Sequence, residues 1–240
     1  MDANKLPRHI AVILDGNGRW AKKKGVPRAI GHKEGCETLK HILDTCYEWG
    51  VSYFSVYAFS TENWKRSQAE VTALIQLMRY YLPRLEKRSM ERNTKVRIMG
   101  DIDGFPADVQ KIMHHLVDTT AANTGLTFIM GLNYGGRDEL RRAMVKLAEK
   151  VKRGELEPDA ITEQMISENL DTAGIPDPDL IIRTSGEMRL SNFMTWQSAY
   201  SEFEFPTVLW PDFSDADLEE AVNIYNSRDR RFGGRKNEES

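Results

Sequence analysis

The segment "IAVILDGNGRW", residues 10–20, decides the fold class, because a continuous apolar run ends abruptly in an acid and a glycine-rich turn. Five successive aliphatic residues without polar alternation are typical of a strand that is buried on both faces of a parallel sheet. Further short runs rich in apolar and β-branched residues predict more strands; they cover residues 53–59, 95–100, 126–134, 180–184 and 201–205.

Longer segments with helical periodicity lie between these runs, and they cover residues 28–49, 69–92, 106–122, 137–153, 162–170 and 215–228. Alternating strands and helices predict an α/β fold with helices on both faces of the sheet. The best candidate for a linker, residues 173–180, is more typical of the entry to a strand. We therefore expect one domain over residues 1–240, with flexible ends at about 1–6 and 233–240.

The amino-acid composition argues against several classes of protein. The chain of 240 residues has a net charge of −3 and is 40% hydrophobic, which is ordinary for a globular protein with a sizeable core. The slight acidic balance disfavours nucleic acid as a partner, although a local basic patch can be hidden in a neutral total. No apolar run is long enough for a membrane span, and no signal peptide is visible. We expect a cytoplasmic protein.

The two cysteines, Cys36 and Cys46, fall ten residues apart on one predicted helix. That spacing separates them by about 15 Å along the helix axis, which is too far for a disulfide. Free thiols are consistent with a reducing compartment.

The acid at the end of the first strand is a candidate metal ligand. In open α/β sheets ligands bind beyond the carboxyl ends of the strands, and a carboxylate there commonly holds Mg²⁺ together with a substrate phosphate. Gly16 and Gly18 allow backbone N–H groups to point at an anion, and Arg19 supplies a fork for phosphate oxygens. An Asp15-capped turn with Arg19 in a surface ion pair explains the same residues equally well.

The segment "RTSGEMRLSN", residues 183–192, follows the fifth predicted strand. Arg183, Arg189 and Ser191 have the donors to grip one diphosphate. The alternative is a salt-bridge cluster, which is weakened because only Glu187 lies between the two arginines.

Two further segments mix polar and apolar side chains. In "FSTENWKRS", residues 59–67, polar Ser60, Asn63 and Arg66 accompany large aromatic residues, as a substrate with an apolar body and a charged head requires. A capped helix N-terminus explains the same pattern. His32 and Arg28 are spaced for one helical face and could meet an anion, although a lone histidine is more often structural.

The polar inventory thus predicts a site for two diphosphates and an apolar group, without a Ser/His/Asp nucleophile set. The motifs that complete the interpretation are "LPRHIAVILDGNGRWAKKKGVPRAIGHKEG", "YAFSTENWKRS", "LNYGGRDEL", "DPDLIIRTSGEMRLSNFMTWQSAYSEFEFPTVLWPDF" and "RDRRFGG". In this order they strongly resemble the cis-prenyltransferase family, above all its bacterial undecaprenyl diphosphate synthases, over nearly the whole chain.

The resemblance implies an α/β domain with a central, mostly parallel six-stranded sheet, an apolar product tunnel and a homodimer. It also implies a reaction in which farnesyl diphosphate is elongated by successive cis condensations with isopentenyl diphosphate. Mg²⁺ is the implied cofactor. The implied product, undecaprenyl diphosphate, is the precursor of the lipid carrier for peptidoglycan and related cell-wall polymers.

Roles for individual residues follow only from this resemblance. Asp15 matches the essential aspartate that binds Mg²⁺, Glu202 a second ligand of the metal, and Asn63 the residue proposed as proton acceptor. The remaining matches are substrate contacts: Gly16, Asn17, Gly18, Arg19, Trp20, Arg28, His32, Ser60, Thr61, Glu62, Trp64, Arg66, Arg183, Arg189, Leu190 and Ser191. An amide is a poor base, so a relay through water or released diphosphate is chemically more plausible for the proton.

Product length is inferred from two features. Small Ala58 and the compact segment 70–100 resemble relatives that make chains of medium length. Candidate tunnel walls, which equally suit ordinary core packing, are Ala58, Leu74, Met78, Leu82, Met90 and Leu126. The departures from the family pattern are Leu14, Ser67, Met188, Thr195 and Glu204.

Rival interpretations exist in other classes. A haloacid-type phosphatase would need a second acid where Asn17 stands. A catalytically silent partner subunit typically lacks the aspartate, whereas Asp15 and Arg19 are present. A nucleic-acid-binding module is disfavoured because no basic stripe with interleaved aromatic residues is visible. We expect substrates rather than nucleic acid as ligands, and transient membrane contact, peripheral at the inner face of the plasma membrane, when the lipid product leaves.

Overall fold

The computed structural model describes residues 6–228 of the chain. The expected flexible ends and the closing motif "RDRRFGG" therefore fall largely outside the described residues. All six predicted strands are present, within one or two residues of the predicted bounds: β1 (His9–Ile13), β2 (Tyr53–Ser60), β3 (Lys95–Met99), β4 (Thr127–Tyr134), β5 (Leu180–Arg183) and β6 (Glu202–Glu204).

The described residues form seven α-helices: α1 (Asn17–Lys24), α2 (Arg28–Trp49), α3 (Gln68–Glu91), α4 (Ala107–Thr120), α5 (Gly136–Lys152), α6 (Glu163–Glu168) and α7 (Asp215–Ser227). Six of them were predicted. Helix α1 was not, because Gly16 and Gly18 made its first turn look like a loop. In the structure Gly16 lies outside the helix as its N-cap, with a left-handed φ of 112°, and Gly18 lies inside it.

The strands form one sheet in the order β3-β4-β2-β1-β5-β6, and every neighbouring pair is parallel. The expected mostly parallel sheet is thus wholly parallel within the described residues. Parallel pairing brings the carboxyl ends of all strands to one edge. The last residues of β1 and β5, Ile13 and Arg183, are register partners there, so the polar residues that follow these two strands start side by side.

Alternate strand positions bury their side chains on opposite faces of the sheet. On one face Ile10 and Val12 join a core with residues of α2, α3, α4 and α7. On the other face Ala11 and Ile13 pack with Phe193 and Met194 from the segment after β5. Burial on both faces is the physical reason for the unbroken apolar runs that the sequence shows.

A buried histidine starts β1. The side chain of His9 is fully inaccessible, and its Nδ1 lies 2.7 Å from the carbonyl oxygen of Pro176. Because a carbonyl only accepts, Nδ1 carries the proton, and Nε2 accepts from the Ser55 hydroxyl at 2.7 Å. Burial lowers the pKa of His9 to about 4, so the ring is neutral at pH 7.

Both cysteines are free thiols, as their spacing predicted. Among the helices of the described residues, none combines the length and the apolar character needed to cross a bilayer.

Candidate active site

The centre of the site is a contact between the ends of neighbouring strands. Asp15 follows β1 by two residues, and its Oδ2 accepts a hydrogen bond of 2.8 Å from Nη2 of Arg183, the last residue of β5. The hydroxyl of Thr184 accepts from the Asp15 N–H at 3.1 Å and donates to the Asp15 carbonyl at 2.6 Å. These bonds fix the backbone of Asp15 between the two strands.

Arg183 is a buried cation, with only 4% of its surface exposed. Its Nη1 donates to the carbonyl of Arg189 and, at 2.7 Å, to the hydroxyl of Ser191. Its Nε is buried and has no hydrogen-bond partner among the described residues. A charged donor that stays unsatisfied inside a protein is costly, and such groups commonly mark a ligand site. Arg183 and Ser191 are therefore brought together beside the backbone of Arg189, whose guanidinium pairs with Glu187; that the three hold one diphosphate stays a prediction.

Arg19 adds a second cation to Asp15. From the first turn of α1, its Nη2 lies 3.1 Å from Asp15 Oδ1, while Nη1 contacts Glu187 Oε1 at 3.0 Å. Burial raises the pKa of Asp15, but hydrogen bonds and charge from Arg183 and Arg19 outweigh it, so the pKa lies below its usual value. Asp15 is therefore ionised at neutral pH, with both oxygens on guanidinium groups.

In the segment after β1, glycine is favoured at Gly18 because a neighbouring side chain lies close, and at Gly16 because of the backbone conformation. Only Gly16 needs a left-handed φ. A Cβ on Gly18 would come within 2.8 Å of the Arg28 guanidinium. A Cβ on Gly31, in α2, would come within 2.2 Å of the Asn17 carbonyl oxygen. The start of α1 thus lies directly on α2, and this contact brings Arg28 to the edge of the site.

A second cluster of cations surrounds Glu70, which the sequence analysis missed. Glu70 contacts Arg66 at 2.8 Å, His32 at 3.3 Å and Arg28 at 3.5 Å. The first turn of α3 is fixed by Ser67, whose hydroxyl caps the helix by accepting from the Glu70 N–H. Ser67, one of the departures from the family pattern, therefore defines the start of this helix.

The charged Glu70 carboxylate offsets part of the positive charge of this second cluster. Burial raises the pKa of Glu70, but Arg66 and Arg28 outweigh it, so the carboxylate has a lowered pKa. Burial lowers the pKa of His32, which therefore favours the neutral ring despite its contact with Glu70. In the sequence, the spacing of four residues between Arg66 and Glu70 is the one signal for this cluster. The other two partners of Glu70, His32 and Arg28, lie far from it along the chain.

The segment after β2 forms a short 3₁₀ helix over Thr61–Lys65. Asn63 Oδ1 accepts from the Ser60 N–H at 3.1 Å, so this amide closes a capping box. Trp64 donates to Asn133 Oδ1 at 2.7 Å and packs on Phe59. The capped turn that the sequence offered as the alternative is thus present, and it presents Ser60 and Asn63 to the cavity described next.

An apolar cavity of about 1130 Å³ begins at this edge and runs between α2, α3 and the sheet. It is slightly larger than the roughly 300–1,000 Å³ of ordinary small-molecule pockets. Four of the six expected walls line it: Ala58, Leu74, Met78 and Leu82. The other two do not, because Met90 is half exposed at the surface and Leu126 is buried in the core beside the cavity.

Two polar contacts join the helices that cover the cavity. The Tyr81 hydroxyl of α3 donates to Glu37 of α2 at 2.7 Å. Further along, Arg88 Nε donates to Asp44 at 2.6 Å. Together with the Glu70 cluster, these contacts bridge α2 and α3 at three levels.

The cavity also collects many of the residues expected at the site. Those that line it are Asp15, Asn17, His32, Ser60, Glu62, Asn63, Arg66, Arg183, Arg189 and Ser191. Trp20 lies outside its wall and donates to Asp212 at 2.7 Å. Leu190 packs on the second face of the sheet. Thr61, Trp64, Arg19 and Arg28 support the rim without lining the cavity.

Glu202 is far from Asp15 in the same chain. It starts β6, and its register partner on β5 is Leu180, which in turn pairs with Ile10. Asp15 lies five residues beyond Ile10, so the two carboxylates are separated by roughly 16 Å along the strands alone. Glu202 instead contacts Arg228 at 2.9 Å. Within one chain the two acids therefore do not share an ion, and the role of Glu202 as a second metal ligand stays a prediction.

Two of the residues that depart from the family pattern, Glu204 and Met188, lie in surroundings that accommodate them. Glu204 forms an ion pair with Arg228, so its charge is compensated at the sheet edge. Met188 is largely exposed beside Glu187.

The fit of Mg²⁺ rests on one carboxylate. The described residues contain no group of three His, Cys, Asp or Glu side chains that could cage a metal ion. Mg²⁺ commonly binds through one or two carboxylates together with substrate phosphates and water. Asp15, beside arginines that can hold a diphosphate, has this donor chemistry.

An apolar cavity that ends at a carboxylate and a rim of arginines, beyond the carboxyl ends of a parallel sheet, defines a site for an anionic lipid. The prenyltransferase family model described as "Putative undecaprenyl diphosphate synthase" matches residues 13–233. The chain therefore belongs to the undecaprenyl diphosphate synthase family and is a prenyltransferase.

Curated relatives support the same family. An isoprenyl transferase of Clostridium perfringens is 48% identical over 97% of this chain and 92% of its own length. An isoprenyl transferase of Halalkalibacterium halodurans is 50% identical over 98% of this chain and 91% of its own length.

Solved structures agree as well. Lavandulyl diphosphate synthase from Lavandula x intermedia, in complex with dimethylallyl diphosphate, has a TM-score of 0.93 and 36% identity, over 96% of this chain and all of its own. A protein from Campylobacter jejuni, described as a probable undecaprenyl diphosphate synthase, has a TM-score of 0.78 and 29% identity. That match covers 95% of this chain and 99% of its own.

Proposed function

We propose that this prenyltransferase adds isopentenyl diphosphate units in cis to an allylic starter, farnesyl diphosphate, and makes undecaprenyl diphosphate. That product is the precursor of the lipid carrier for cell-wall polysaccharides. The observation that carries the proposal is the cavity of about 1130 Å³, whose walls are apolar and whose rim holds Asp15, Arg183 and Arg189. A growing hydrocarbon needs such a cavity, and a diphosphate needs such a rim.

The two diphosphates are assigned to different parts of the rim. The starter diphosphate binds at the loop after β1, with Arg19 and Arg28 as its cations. Isopentenyl diphosphate binds at the segment after β5, where Arg183 donates to the hydroxyl of Ser191 and to the backbone carbonyl of Arg189. The dimethylallyl diphosphate in the lavender enzyme is an allylic diphosphate, which supports a starter of this chemical class.

In the reaction, the allylic carbon–oxygen bond breaks and its electron pair leaves with the diphosphate. Arginine donors that are fixed before the reaction stabilise the charge that develops on the leaving group. The double bond of isopentenyl diphosphate then attacks the allylic carbon. Loss of one proton from the new cation restores a double bond, and the lengthened chain keeps the diphosphate of the added unit.

Asn63 is proposed to orient groups near the departing proton rather than to accept it directly. Its amide oxygen already caps Ser60 at 3.1 Å, and an amide is a very weak base. Water or the released diphosphate can accept the proton at this position, because Asn63 lines the cavity beside Ser60.

Asp15 is the residue proposed to hold Mg²⁺, which when bound neutralises charge on the starter diphosphate. Since Glu202 lies at the other end of the sheet, any part it takes in metal binding would have to come from a second copy of the chain. We propose a homodimer, which the exposed apolar side chains of Met144, Val145 and Tyr200 support. The protein is proposed to be cytoplasmic and to contact the inner face of the plasma membrane when product leaves.

Other products and a silent partner subunit are the alternatives. The presence of Asp15 and of the complete arginine set argues against silence, since an inactive subunit has no need to keep a buried, partly unsatisfied Arg183.

The test is a product assay with farnesyl diphosphate, labelled isopentenyl diphosphate and Mg²⁺, run in detergent, with products resolved by length after removal of the diphosphate. The expected result is a dominant product of eleven isoprene units that disappears with EDTA. A different dominant length would keep the reaction and overturn the product, and no product from folded protein would support the silent-subunit alternative.

A further inference from the structure

The connection from α1 to α2 carries four lysines that the proposed reaction does not use, beside Arg28 and His32, which belong to the proposed starter site. Residues 22–33, "KKKGVPRAIGHK", contain five lysines and arginines and no acid, in a chain whose net charge is −3. Lys22, Lys23 and Lys24 lie in the last turn of α1, and Lys33 lies on α2. All four side chains are exposed.

No acid among the described residues lies within ion-pair distance of these lysines, although Glu37, one turn beyond Lys33 on α2, interacts with its charge. Within residues 6–228, none of the four forms an ion pair with an acid. Lys24 lies instead over the ring of Trp20, at 5.7 Å from its centroid. Lysines in the last turn of α1 complement the helix dipole, but that account does not extend to Lys33, which lies in the second turn of α2.

Exposed apolar groups accompany the charge. Ile30 is 40% exposed between Arg28 and Lys33, and Val26 is half-buried in the connection itself. Cations with aliphatic stems around a protruding apolar residue are typical of surfaces that bind anionic membranes.

The position of this surface relates it to the cavity. The inner side of α2 lines the cavity through His32, Gly35 and Cys36, and Ile30 and Lys33 lie on the outer side of the same turns. A membrane bound at Lys33 would therefore meet the protein beside the entrance from which an apolar product leaves.

We infer that the α1–α2 connection, residues 22–33, is the surface that docks the protein on a bilayer of anionic lipid. Charge complementarity selects this occupant, because the segment offers four exposed lysines that form no ion pair together with an apolar anchor, and the nearest acids, Glu34 and Glu37, lie beyond it on α2. The purpose of docking rests on the proposed lipid product, but the binding itself does not.

The experiment is flotation of the purified full chain with vesicles, without substrate. One set contains phosphatidylcholine alone, and another contains phosphatidylcholine with 30 mol% phosphatidylglycerol, a lipid content chosen on the order of natural anionic surfaces. Binding is expected on the anionic vesicles only and should decline with added salt. The variant Lys22→Glu/Lys23→Glu/Lys33→Glu should lose at least tenfold in vesicle affinity, since each cation near an anionic surface contributes about fivefold.

Matched controls separate this surface from net charge and from anchoring. Lys111→Glu/Lys150→Glu/Lys152→Glu makes the same charge change on α4 and α5 and should bind like wild type. Ile30→Ser should weaken binding without changing its salt dependence. Product assays in detergent and thermal unfolding should leave all these variants near wild type.

Several outcomes would overturn the inference: equal binding to both kinds of vesicle, equal losses in both triple variants, or retention on an RNA oligonucleotide without binding to vesicles. Failure of the proposed function is seen separately, as absence of product in detergent from a protein that still binds anionic vesicles.

Discussion

Arg183 Nη2 and Asp15 Oδ2 lie 2.8 Å apart although 168 residues separate them, because β5 and β1 are neighbours and end at the same edge. This contact neutralises a buried guanidinium in the absence of substrate. It also means that Asp15 competes with any anion for the donors of Arg183.

The variant Asp15→Asn should separate these two effects. Product formation is expected to fall by at least about 100-fold, as for the loss of a principal charged group of an active site. Inorganic diphosphate in metal-free buffer should bind more tightly, because the charge that competes for Arg183 and Arg19 is gone. Calorimetric titration measures the affinity, and Asp108→Asn, which loses a surface contact with Arg79, is the control. Weaker metal-free binding would show that Asp15 orders the arginines instead of competing for them.

Glu187 connects the two anion-binding parts of the rim, since it contacts Arg19 at 3.0 Å and also pairs with Arg189. Arg189 holds the pKa of Glu187 below its usual value, so the acid is charged at neutral pH. Glu187→Gln frees both cations, and the affinity for metal-free diphosphate should rise by roughly two- to fivefold, the range for an exposed ion pair. Glu155→Gln, whose partner is Arg153, should change nothing. An affinity that is unchanged in Glu187→Gln would contradict this competition.

His9 should make stability depend on pH. Its folded pKa of about 4 lies below the usual 6.5, so the unfolded chain binds the proton first. The contribution is complete above about pH 6.5 and is lost as the pH falls toward 4, up to about 3 kcal/mol of the free energy of unfolding. Denaturant unfolding across this range measures it. The asparagine of His9→Asn can still donate to Pro176 but cannot ionise, so the free energy of unfolding of this variant should depend less on pH. Parallel pH profiles for wild type and variant would show that His9 is not the group responsible.

Two glycines of the α1–α2 contact should respond differently to alanine. At Gly31 the new Cβ would meet the backbone oxygen of Asn17 at 2.2 Å, so Gly31→Ala should lower the free energy of unfolding by about 1–3 kcal/mol. At Gly18 the neighbour is the flexible end of Arg28, so Gly18→Ala should keep stability but weaken diphosphate binding. Urea unfolding and calorimetry test the pair, and the reverse pattern would rule out this packing.

Ala58 should help to set the length of the product. The side chain of Ala58 lines the cavity, so the larger leucine of Ala58→Leu reduces the cavity volume. The product should become shorter, while the first condensation continues. Chain-length analysis of the products measures the shift. Ala148→Leu, exposed on α5, adds the same volume elsewhere and should leave the length unchanged. An unaltered product from Ala58→Leu would mean that the chain does not pass this position.

Most of the fold could be predicted because buried parallel strands leave unbroken apolar runs, as in β1 and β4. Helix α1 could not, because glycines needed for contact with Arg28 resemble the glycines of a loop. Much of the rim was expected from polar residues at strand ends. Glu70 was missed because His32 and Arg28 reach it only through tertiary packing, and the distance between Glu202 and Asp15 within one chain could not be foreseen because a sequence does not reveal strand register.

The helices over the cavity are tied at the Glu70 cluster, where the proposed chemistry takes place, then by one bond between Tyr81 and Glu37, and further on by two bonds between Arg88 and Asp44. If the proposed product grows in this space, each added unit pushes first against the Tyr81–Glu37 contact and then against Arg88–Asp44. The single Tyr81–Glu37 bond would then yield before the doubly bonded Arg88–Asp44 pair. Elongation would stop when the work of separating Arg88 from Asp44 exceeds the gain from one more addition.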